Sequence, residues 1–401
     1  MKKRLLLLIS LCFLTGCGKE VVKTIPSDFE ISINNKNIEV YSKSNINDLD
    51  ITTNGEIINK EELLDTYTLG KKDINLKVKY NDELYDYKID YEIVDTVAPI
   101  FINASSTIST LVNQDIYPCN NIVYADNYDT LPTCDIEGTY DLTVPGTYKV
   151  KYILKDNSNN IKEKDLNIKV LEKYENSSSS STSVKKYLYI EDILKKYKNE
   201  STEIGIDVSR WQGDIDYNKV KEAGIEFVIM RLGVNTGIGK GLDMDSYYLQ
   251  NIKNAKEAGL KVGVYLYSTA IDNDLAIEHA KWVVENLNGE KLDFPVAFDW
   301  ENWNHFMEYK ISTHGLSEVF ATFRNVLKEN DLDAMLYSSK FYLENVWDNY
   351  DNATVWLAHY TDETSYKGDY YIWQMGNTGV VPGINGDVDI DILYKNKKTS
   401  N

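Results

Sequence analysis

From residue 204 onward, short apolar segments alternate with longer amphipathic ones, and this alternation restricts the fold more than any other feature. Short apolar runs are typical of buried strands, and longer segments with a helical period are typical of helices. The predicted strands are Ile204–Ser209, Phe227–Leu232, Lys261–Tyr267, Phe294–Trp300, Ala334–Ser338, Val355–His359, Tyr371–Gln374 and Val388–Leu393. The predicted helices are Tyr217–Ala223, Asp245–Ala258, Leu275–Leu287, Leu316–Lys328 and Phe341–Trp347. Such alternation predicts a parallel sheet covered by helices.

The last three predicted strands leave no room for helices between them. Five β/α units followed by three strands fit a closed α/β barrel, a modified TIM-like barrel, as the C-terminal part of a multidomain chain. In barrels of this kind the functional site lies at the C-terminal ends of the strands. The residues at those ends are therefore the candidates for function.

Two carboxylates end one of these strands, in the segment Asp299-Trp300-Glu301. Side chains two residues apart on a strand point to the same face, so both acids emerge side by side. Two neighbouring negative charges at the end of a buried strand cost stability unless they are used or neutralised. Glycoside hydrolysis needs such a pair. A metal site or a cluster of ion pairs would also place acids in this way.

The other strand ends add further acids and many aromatic side chains. They carry Asp207, Ser209, Arg231, Tyr265, Tyr267, Tyr337, His359, Tyr360, Trp373, Gln374, Asp389 and Asp391. Aromatic faces suit sugar rings, which combine apolar C–H patches with hydroxyl edges. We therefore predict substrate binding by Arg231, Tyr265, Tyr267, Tyr337, Tyr360, Trp373 and Gln374.

Several motifs follow one another in the order of a known family. They are Gly205-Ile206-Asp207-Val208-Ser209, Trp211-Gln212-Gly213, Phe227-Val228-Ile229-Met230-Arg231, Val262-Gly263-Val264-Tyr265, Asp299-Trp300-Glu301, Tyr337-Ser338, Ile372-Trp373-Gln374 and Gly386-Asp387-Val388-Asp389. Together they resemble glycoside hydrolase family 25 lysozymes over about residues 203–395. The resemblance implies a barrel of five β/α units closed by three extra strands, in agreement with the pattern of the elements.

The resemblance also implies an activity and roles for four acids. Enzymes of this family cleave the β-1,4 bond between N-acetylmuramic acid and N-acetylglucosamine in peptidoglycan. Glu301 matches the general acid, Asp299 the partner carboxylate, Asp207 the acid of the first strand and Asp389 that of the last. A general acid must hold a proton near neutral pH, so we expect the neighbouring acids to raise the pKa of Glu301 while Asp299 stays ionised.

The sequence leaves the detailed mechanism open. Asp299 could orient the N-acetyl group of the substrate as an internal nucleophile or stabilise the transition state directly. Adjacent same-face residues on a strand are about 6.6–6.8 Å apart at Cα, which does not separate retaining from inverting geometry. The biological role, whether wall remodelling, cell separation or attack on other bacteria, is also open.

Three other functions share part of this pattern. A chitinase-like hydrolase of N-acetylglucosamine polymers also carries acid-x-acid at a barrel strand end, but the Trp211-Gln212-Gly213 segment and the missing last helices favour the muramidase. A non-catalytic wall-binding surface lipoprotein would not need the four acids. A peptidoglycan amidase or metallopeptidase would need zinc ligands or a Cys–His pair, and the four histidines lack ligand spacing. We expect no metal and no cofactor.

The N-terminus resembles a bacterial lipoprotein signal. A basic start, an apolar stretch and Leu14-Thr15-Gly16-Cys17 predict a signal peptide over residues 1–16, lipidation of Cys17 and a tether over 17–27. The protein is then extracytoplasmic, anchored in the cell membrane by the lipid on Cys17 and facing the wall. The formal net charge of -19 argues against nucleic acid as a partner. Peptidoglycan glycan strands are the expected partner, and we expect a monomer.

Residues 28–95 and 96–172 show alternating strand patterns and resemble bacterial immunoglobulin-like domains. We expect them to act as spacers that are dispensable for the chemistry. An oxidising compartment predicts a disulfide between Cys119 and Cys134. Asp126 and Asp129 could hold Ca²⁺, but a solvated turn is the preferred interpretation. Residues 173–202 are expected to form a serine-rich linker and a short helix.

Overall fold

The computed structural model describes residues 24–173, 185–348, 350 and 352–397, and it divides the chain into two compact units. The first unit ends at Asp95, and the second begins at Thr96. The predicted signal peptide, Cys17 and the serine run lie outside the described residues. Among the helices that are described, none combines the length and apolar character needed to span a membrane.

The first unit is all-β in its described part. Its long hairpin pairs Gly70–Tyr80 with Glu83–Val94, and Asn81 and Asp82 form the turn with positive φ angles of 49° and 62°. Its strands are Ile31–Ile33, Asn37–Glu39, Ile51–Thr53, Glu56–Ile57, Gly70–Tyr80 and Glu83–Val94, with a 3₁₀ helix at Ile46–Leu49. Alternate residues of the hairpin are buried, which explains the period-two pattern of the sequence.

The second unit begins with another β domain, called here the middle domain (residues 96–172). Its strands are Ile100–Asn103, Thr107–Leu111, Val123–Ala125, Thr133–Glu137, Gly146–Lys155 and Ile161–Leu171, with a 3₁₀ helix at Pro118–Asn121. Tyr152, Leu154 and Ile168 are fully buried between its strands. Cys119 and Cys134 are joined by a disulfide with their Cα atoms 5.9 Å apart.

The turn that contains Asp126 and Asp129 is buried rather than solvated. The carboxylate of Asp126 accepts hydrogen bonds from the backbone N–H groups of Tyr128 (3.0 Å) and Asp129 (2.7 Å). The carboxylate of Asp129 accepts from the backbone N–H of Asn157 (3.0 Å), which ties this turn to the last hairpin. Both acids are less than a tenth exposed, so the expectation of a solvated turn was wrong.

The rest of the second unit is a barrel of eight strands with helices around it. The barrel strands are Thr202–Val208, Phe227–Asn235, Lys261–Tyr267, Val296–Asp299, Ala334–Ser339, Thr354–Ala358, Ile372–Val380 and Val388–Tyr394. The helices are Ile190–Tyr197, Tyr217–Glu222, Tyr248–Glu257, Asn273–Leu287, His305–Tyr309, Thr313–Lys328 and Lys340–Asn345. Short strands at Leu188–Tyr189 and Leu242–Met244 extend the sheet, and 3₁₀ helices lie at Arg210–Gln212 and Lys395–Lys397.

The last strand closes the barrel. The first seven strands are parallel in chain order, and the eighth runs antiparallel to both the first and the seventh. The predicted barrel is therefore confirmed. The fourth strand is shorter than predicted, because Pro295 has no N–H to donate to a neighbouring strand and pairing starts at Val296.

The interior of the barrel is packed with apolar side chains below the strand ends. Phe227, Ile229 and Met335 are completely buried there. Gly205 of the first strand makes room for this packing, since a Cβ atom at that position would lie 2.3 Å from the ring of Phe227. This layer forms a rigid floor beneath the polar residues at the C-terminal ends.

The middle domain packs directly against the barrel domain. Ile102, Val123 and Ala125 belong to the same buried apolar cluster as the residues between the barrel and its helices. The backbone N–H of Thr313 donates a hydrogen bond of 2.8 Å to the carbonyl of Asp126. The middle domain is thus an attached part of the barrel unit, which differs from the expectation of a simple spacer.

Candidate active site

One cavity of about 250 Å³ at the C-terminal end of the barrel gathers nearly all the candidate residues. It is lined by Asp207, Arg231, Tyr265, Tyr267, Asp299, Glu301, Tyr337, Trp356, Tyr360, Gln374 and Asp389. The four predicted catalytic acids and six of the seven predicted substrate-binding residues are among them. The cavity therefore lies at the strand ends, where the sequence predicts the functional site.

Trp373 is the predicted substrate-binding residue that does not line this cavity. Its ring is 2% exposed, packs edge-on against Tyr197 at 6.0 Å, and donates a hydrogen bond from Nε1 to the carbonyl of His359 (2.8 Å). Its neighbour Gln374 points into the barrel, so the strand alternation turns Trp373 outward. We correct its assignment to a packing residue.

Asp299 and Glu301 both reach the cavity because Trp300 between them points the other way. The Trp300 ring is completely buried, and its Nε1 donates a hydrogen bond of 2.8 Å to the carbonyl of Ala270. The backbone carbonyl of Asp299 accepts a hydrogen bond of 2.7 Å from the N–H of Ser268. These contacts fix the segment at the strand end and leave its two carboxylates facing the cleft.

The carboxyl groups of Asp299 and Glu301 have raised pKa values. Burial, followed by the negative charge of Glu301, raises the pKa of Asp299 well above its usual range, and the Arg231 guanidinium opposes this rise. Glu301 is exposed at the cleft surface, but the surrounding walls still exclude much of the water and raise the pKa of its carboxyl. Burial, rather than neighbouring charge, is thus the main cause of the raised pKa of Glu301. Burial also raises the pKa of Asp299, contrary to the expectation that Asp299 stays ionised.

The first and last strands bring Asp207 and Asp389 together as paired positions of the sheet. Burial is the main reason that the pKa of Asp207 is raised well above its usual range, with Asp389 and Asp391 adding repulsion. Burial, opposed by a backbone hydrogen bond and assisted by the charge of Glu301, raises the pKa of Asp389 to about 6. This side of the cavity can therefore hold protons near neutral pH.

Gln374 connects the acids to the aromatic rim. Its Nε2 donates a hydrogen bond of 2.8 Å to Oδ2 of Asp207. Its Oε1 accepts hydrogen bonds from the hydroxyls of Tyr337 (2.8 Å) and Tyr360 (3.1 Å). Three side chains are thereby held in fixed positions around the cavity, and Tyr360 remains half exposed at its rim.

Tyr265 and Tyr267 lie on the third strand next to the acids. Burial raises the pKa of Tyr265 well above its usual range and that of Tyr267 to about 12. Both hydroxyls are therefore neutral at physiological pH and can donate hydrogen bonds to a ligand. Tyr265 also packs edge-on against the ring of Trp356, with the ring centroids 6.2 Å apart.

Arg231 reaches the cavity but is held by a partner that the sequence did not reveal. Its Nε and Nη2 both lie 2.7 Å from Oδ2 of Asp245. Asp245 also accepts hydrogen bonds from the backbone N–H groups of Arg210 (3.1 Å) and Tyr247 (2.9 Å). No spacing in the sequence links Asp245 to Arg231, because a short strand and its turn bring them together.

Two other residues at the site had no predicted role. Asp391 is completely buried, and its Oδ1 accepts a hydrogen bond of 2.8 Å from Nε1 of Trp356. Burial raises the pKa of Asp391 well above its usual range. Trp356 lines the cavity, and the alternation along its strand could have identified it, because neighbouring positions face opposite sides.

Two larger cavities adjoin the central one. A cavity of about 490 Å³ is lined by Glu301, Tyr337, Ser339, Lys340, Phe341, Glu344, Ala358, His359 and Tyr360. A cavity of about 470 Å³ is lined by Ile102, Asn103, Val123, Glu301, Asn302, Trp303, Asn304, His305, Glu308 and Tyr342. Glu301 is the one residue that these two linings share, so it lies between the two cavities.

The acids of the barrel do not form an obvious metal site. Within the described residues, no three carboxylate or histidine ligand atoms of the barrel cavity lie within 4.8 Å of one another. The two carboxyl groups at Asp299 and Glu301 and the hydroxyl donors on the walls are compatible with general acid catalysis assisted by a partner carboxylate.

The comparisons with known proteins agree on the family of the C-terminal region. Residues 206–384 match the family model Glycosyl hydrolases family 25. The chain is 31% identical over 190 residues to the autolytic lysozyme of Clostridium acetobutylicum, a match that covers 47% of this chain and 54% of that protein. It is 27% identical over 198 residues to lysozyme M1 of Streptomyces globisporus, covering 46% and 65%. The chain thus spans about half to two thirds of these relatives.

Two solved bacterial structures are among those to which the chain is similar. The bacterial lysozyme from Streptomyces coelicolor superposes with a TM-score of 0.42 and 27% identity, covering 48% of this chain and 92% of that one. The modular autolysin LytC from Streptococcus pneumoniae, in complex with a synthetic peptidoglycan ligand, gives a TM-score of 0.44 and 23% identity, covering 61% and 56%.

Proposed function

We propose that this protein is a lysozyme-type glycoside hydrolase that cleaves the β-1,4 bond between N-acetylmuramic acid and N-acetylglucosamine in peptidoglycan. The observation that carries this proposal is the Asp299–Glu301 pair, which faces a tyrosine-rimmed cavity at the strand ends of a family 25 domain. Two carboxyl groups with raised pKa values and a wall of neutral hydroxyls suit the hydrolysis of an uncharged sugar linkage.

Glu301 is the general acid in this mechanism. Burial raises the pKa of its carboxyl, which favours the protonated form that a general acid needs, and its position at the cleft surface gives a leaving group access to it. The proton passes to the glycosidic oxygen as the bond to the anomeric carbon breaks. Water then supplies a hydroxyl group to that carbon and returns a proton to the enzyme.

Asp299 is the partner carboxylate. In this role Asp299 must be charged while Glu301 keeps the proton, against the burial and the charge of Glu301 that raise the pKa of Asp299. Arg231 favours the charged form of Asp299. As an anion Asp299 either orients the N-acetyl group of the substrate as an internal nucleophile or stabilises the oxocarbenium-like transition state directly.

The remaining cavity residues bind and orient the sugar. Asp207 and Gln374 form one hydrogen-bonded wall, and Asp389 lies beside them on the last strand. The neutral hydroxyls of Tyr265 and Tyr267 can donate to sugar hydroxyl or N-acetyl oxygens. These roles follow from the positions of the side chains around the cavity.

The lipobox-like segment supports a proposal for location. We infer that the mature chain is anchored to the outer face of the membrane by the lipid on Cys17, with peptidoglycan glycan strands as its partner and a monomer as its working form. The immunoglobulin-like identity of the two β domains belongs to the same proposal and rests on their sequence patterns.

The decisive experiment is digestion of purified peptidoglycan followed by mass spectrometry of the new reducing ends. Reducing N-acetylmuramic acid is the expected product. Reducing N-acetylglucosamine would assign a different bond, and the absence of any new reducing end would contradict the proposed function.

A further inference from the structure

The cavity of about 470 Å³ beside Glu301 has a wall that does not belong to the barrel. Ile102, Asn103 and Val123 of the middle domain line it together with residues that follow the Asp299–Glu301 segment. A domain that served only as a spacer would have no reason to border the cleft at the proposed general acid.

The position of this wall is fixed by the packing between the two domains. Ile102 and Val123 are buried in the apolar cluster shared with the barrel domain, and the helix His305–Tyr309 packs against the strand Val123–Ala125. The hydrogen bond from the Thr313 N–H to the Asp126 carbonyl adds a polar contact. The cavity is therefore preformed, as binding sites usually are.

The polar residues of the cavity lining lie on both sides of it. His305 is only 9% exposed, and its Nδ1 is buried with no hydrogen-bond partner among the described residues. Burial lowers the pKa of His305, so its ring is neutral at physiological pH and Nδ1 can donate or accept according to its tautomer. The side chain of Asn103 is exposed on the other side. A ligand rich in amides and hydroxyls would pair with the exposed amide of Asn103.

The charged residues of the cavity lining favour an uncharged ligand. The lining contains the acids Glu301 and Glu308 and neither lysine nor arginine. The cavity of about 490 Å³ differs, because Lys340 is part of its lining. Peptide stems of peptidoglycan carry carboxylates, which the charge of Glu308 would repel with no lysine or arginine in the lining to offset it, whereas an N-acetylated sugar is uncharged and carries amide and hydroxyl groups.

We propose that the middle domain forms one wall of a subsite for an uncharged N-acetylated sugar unit of the glycan strand, next to the bond that is cleaved. This inference rests on the proposed function, since it concerns a second part of the same substrate. It gives the middle domain a direct role in substrate binding through Asn103.

The test measures binding of glycan strands to the full chain in the Glu301→Gln background, which separates binding from cleavage. Asn103→Ala should weaken binding about fivefold, as the loss of one hydrogen bond would. Asn103→Trp should weaken it further by filling the cavity. Asn120→Ala is the matched control, because Asn120 is an exposed asparagine of the same domain outside the lining of this cavity.

Each binding assay is run with intact strands and with strands whose peptide stems have been removed. An equal loss of affinity for both substrates is the expected result. A loss confined to stem-bearing strands would show that the cavity holds peptide, and unchanged affinity in both Asn103 variants would show that it holds no substrate. Either outcome overturns the inference, while cleavage of peptidoglycan by the wild-type chain separately establishes whether the proposed function stands.

Discussion

At the scale of single residues, the proton held at Glu301 is the feature on which the proposed reaction depends. Glu301→Gln keeps the shape of the side chain and removes the proton donor. We expect the rate of peptidoglycan cleavage to fall by about 10²–10⁴-fold, the usual contribution of general acid catalysis, without a loss of folding. The release of reducing ends measures the rate, and thermal unfolding measures the fold.

The matched control for this change is Glu285→Gln, because Glu285 is an exposed helical glutamate away from the cavity. It should cleave at the wild-type rate. A Glu301→Gln variant that clears peptidoglycan nearly as fast as the wild-type chain would remove Glu301 from the role of general acid.

Asp389 gives a prediction about stability and pH. Its pKa is about 6 in the folded chain and near 3.8 in the unfolded chain, so the folded state binds more protons between these values. The free energy of unfolding contributed by this group is therefore full below about pH 4 and falls as the pH rises through 6. Asp389→Asn should raise Tm by about 2–6 °C at pH 7 and leave it nearly unchanged at pH 4.

Thermal scans at the two pH values test this sign directly. The same variant should lose activity, since Asp389 lines the proposed active site. A variant that is less stable than the wild-type chain at pH 7 would show that Asp389 has a favourable partner when charged and that burial does not raise its pKa.

At the scale of elements, the barrel could be predicted because each strand is a compact apolar run that ends in polar or aromatic residues. Arg231 and Tyr265 were found in this way, since parallel strands bring their C-terminal ends to one edge. Trp373 could not be assigned correctly by that argument alone. Neighbouring residues at a strand end point to opposite faces of the sheet. Only the pairing of the strands in the structure shows that Gln374 points into the barrel and Trp373 away from it.

Other elements left no signal that sequence reasoning could use. The helix His305–Tyr309 has only five residues, which is too short for a helical period to emerge. The ion pair between Arg231 and Asp245 forms across a turn whose path depends on the tertiary structure. The contact of Ile102 and Val123 with the barrel domain could not be predicted either. The alternation of apolar and polar residues along their strands would be the same whether or not the middle domain packed against another domain.

The first strand supplies a test of how tightly the barrel floor is packed. Gly205→Ala would place a Cβ atom 2.3 Å from the Phe227 ring, so the ring must move and the strand that carries Asp207 is disturbed. Overpacking of this kind costs about 1–3 kcal/mol. We expect a lower midpoint in denaturant and reduced activity.

Gly241→Ala is the control for this substitution. A Cβ atom at Gly241 would meet no other atom within 4 Å, and its backbone does not require glycine. This variant should unfold like the wild-type chain. Equal stability of the Gly205→Ala and Gly241→Ala variants would contradict the tight floor beneath the site.

At the scale of the whole molecule, the lipid anchor predicted at Cys17 would decide where the chain works. Cys17→Ala should release the protein from the membrane fraction, because burial of acyl chains is the expected force and an acidic chain of net charge -19 gains nothing from anionic lipid. Fractionation after a high-salt wash measures this. A variant that stays with the membrane would contradict lipid attachment at Cys17.

The division of labour between the domains is tested by two shortened chains. A chain that begins at Asp95 keeps the whole second unit, including the apolar contact of Ile102, Val123 and Ala125 with the barrel domain. It should cleave peptidoglycan at a rate close to that of the full protein.

A chain that begins at Lys185 keeps every barrel strand and every candidate acid but loses the middle domain. The sequence alone predicted that the upstream domains are dispensable for the chemistry. The structure leads us to expect a lower Tm, because apolar surface of the barrel domain becomes exposed, and weaker binding of glycan strands, because one wall beside Glu301 is gone. Since the acids themselves remain in place, the loss should appear in KM more than in kcat. Equal Tm and equal KM for the two shortened chains would return the middle domain to the role of a spacer.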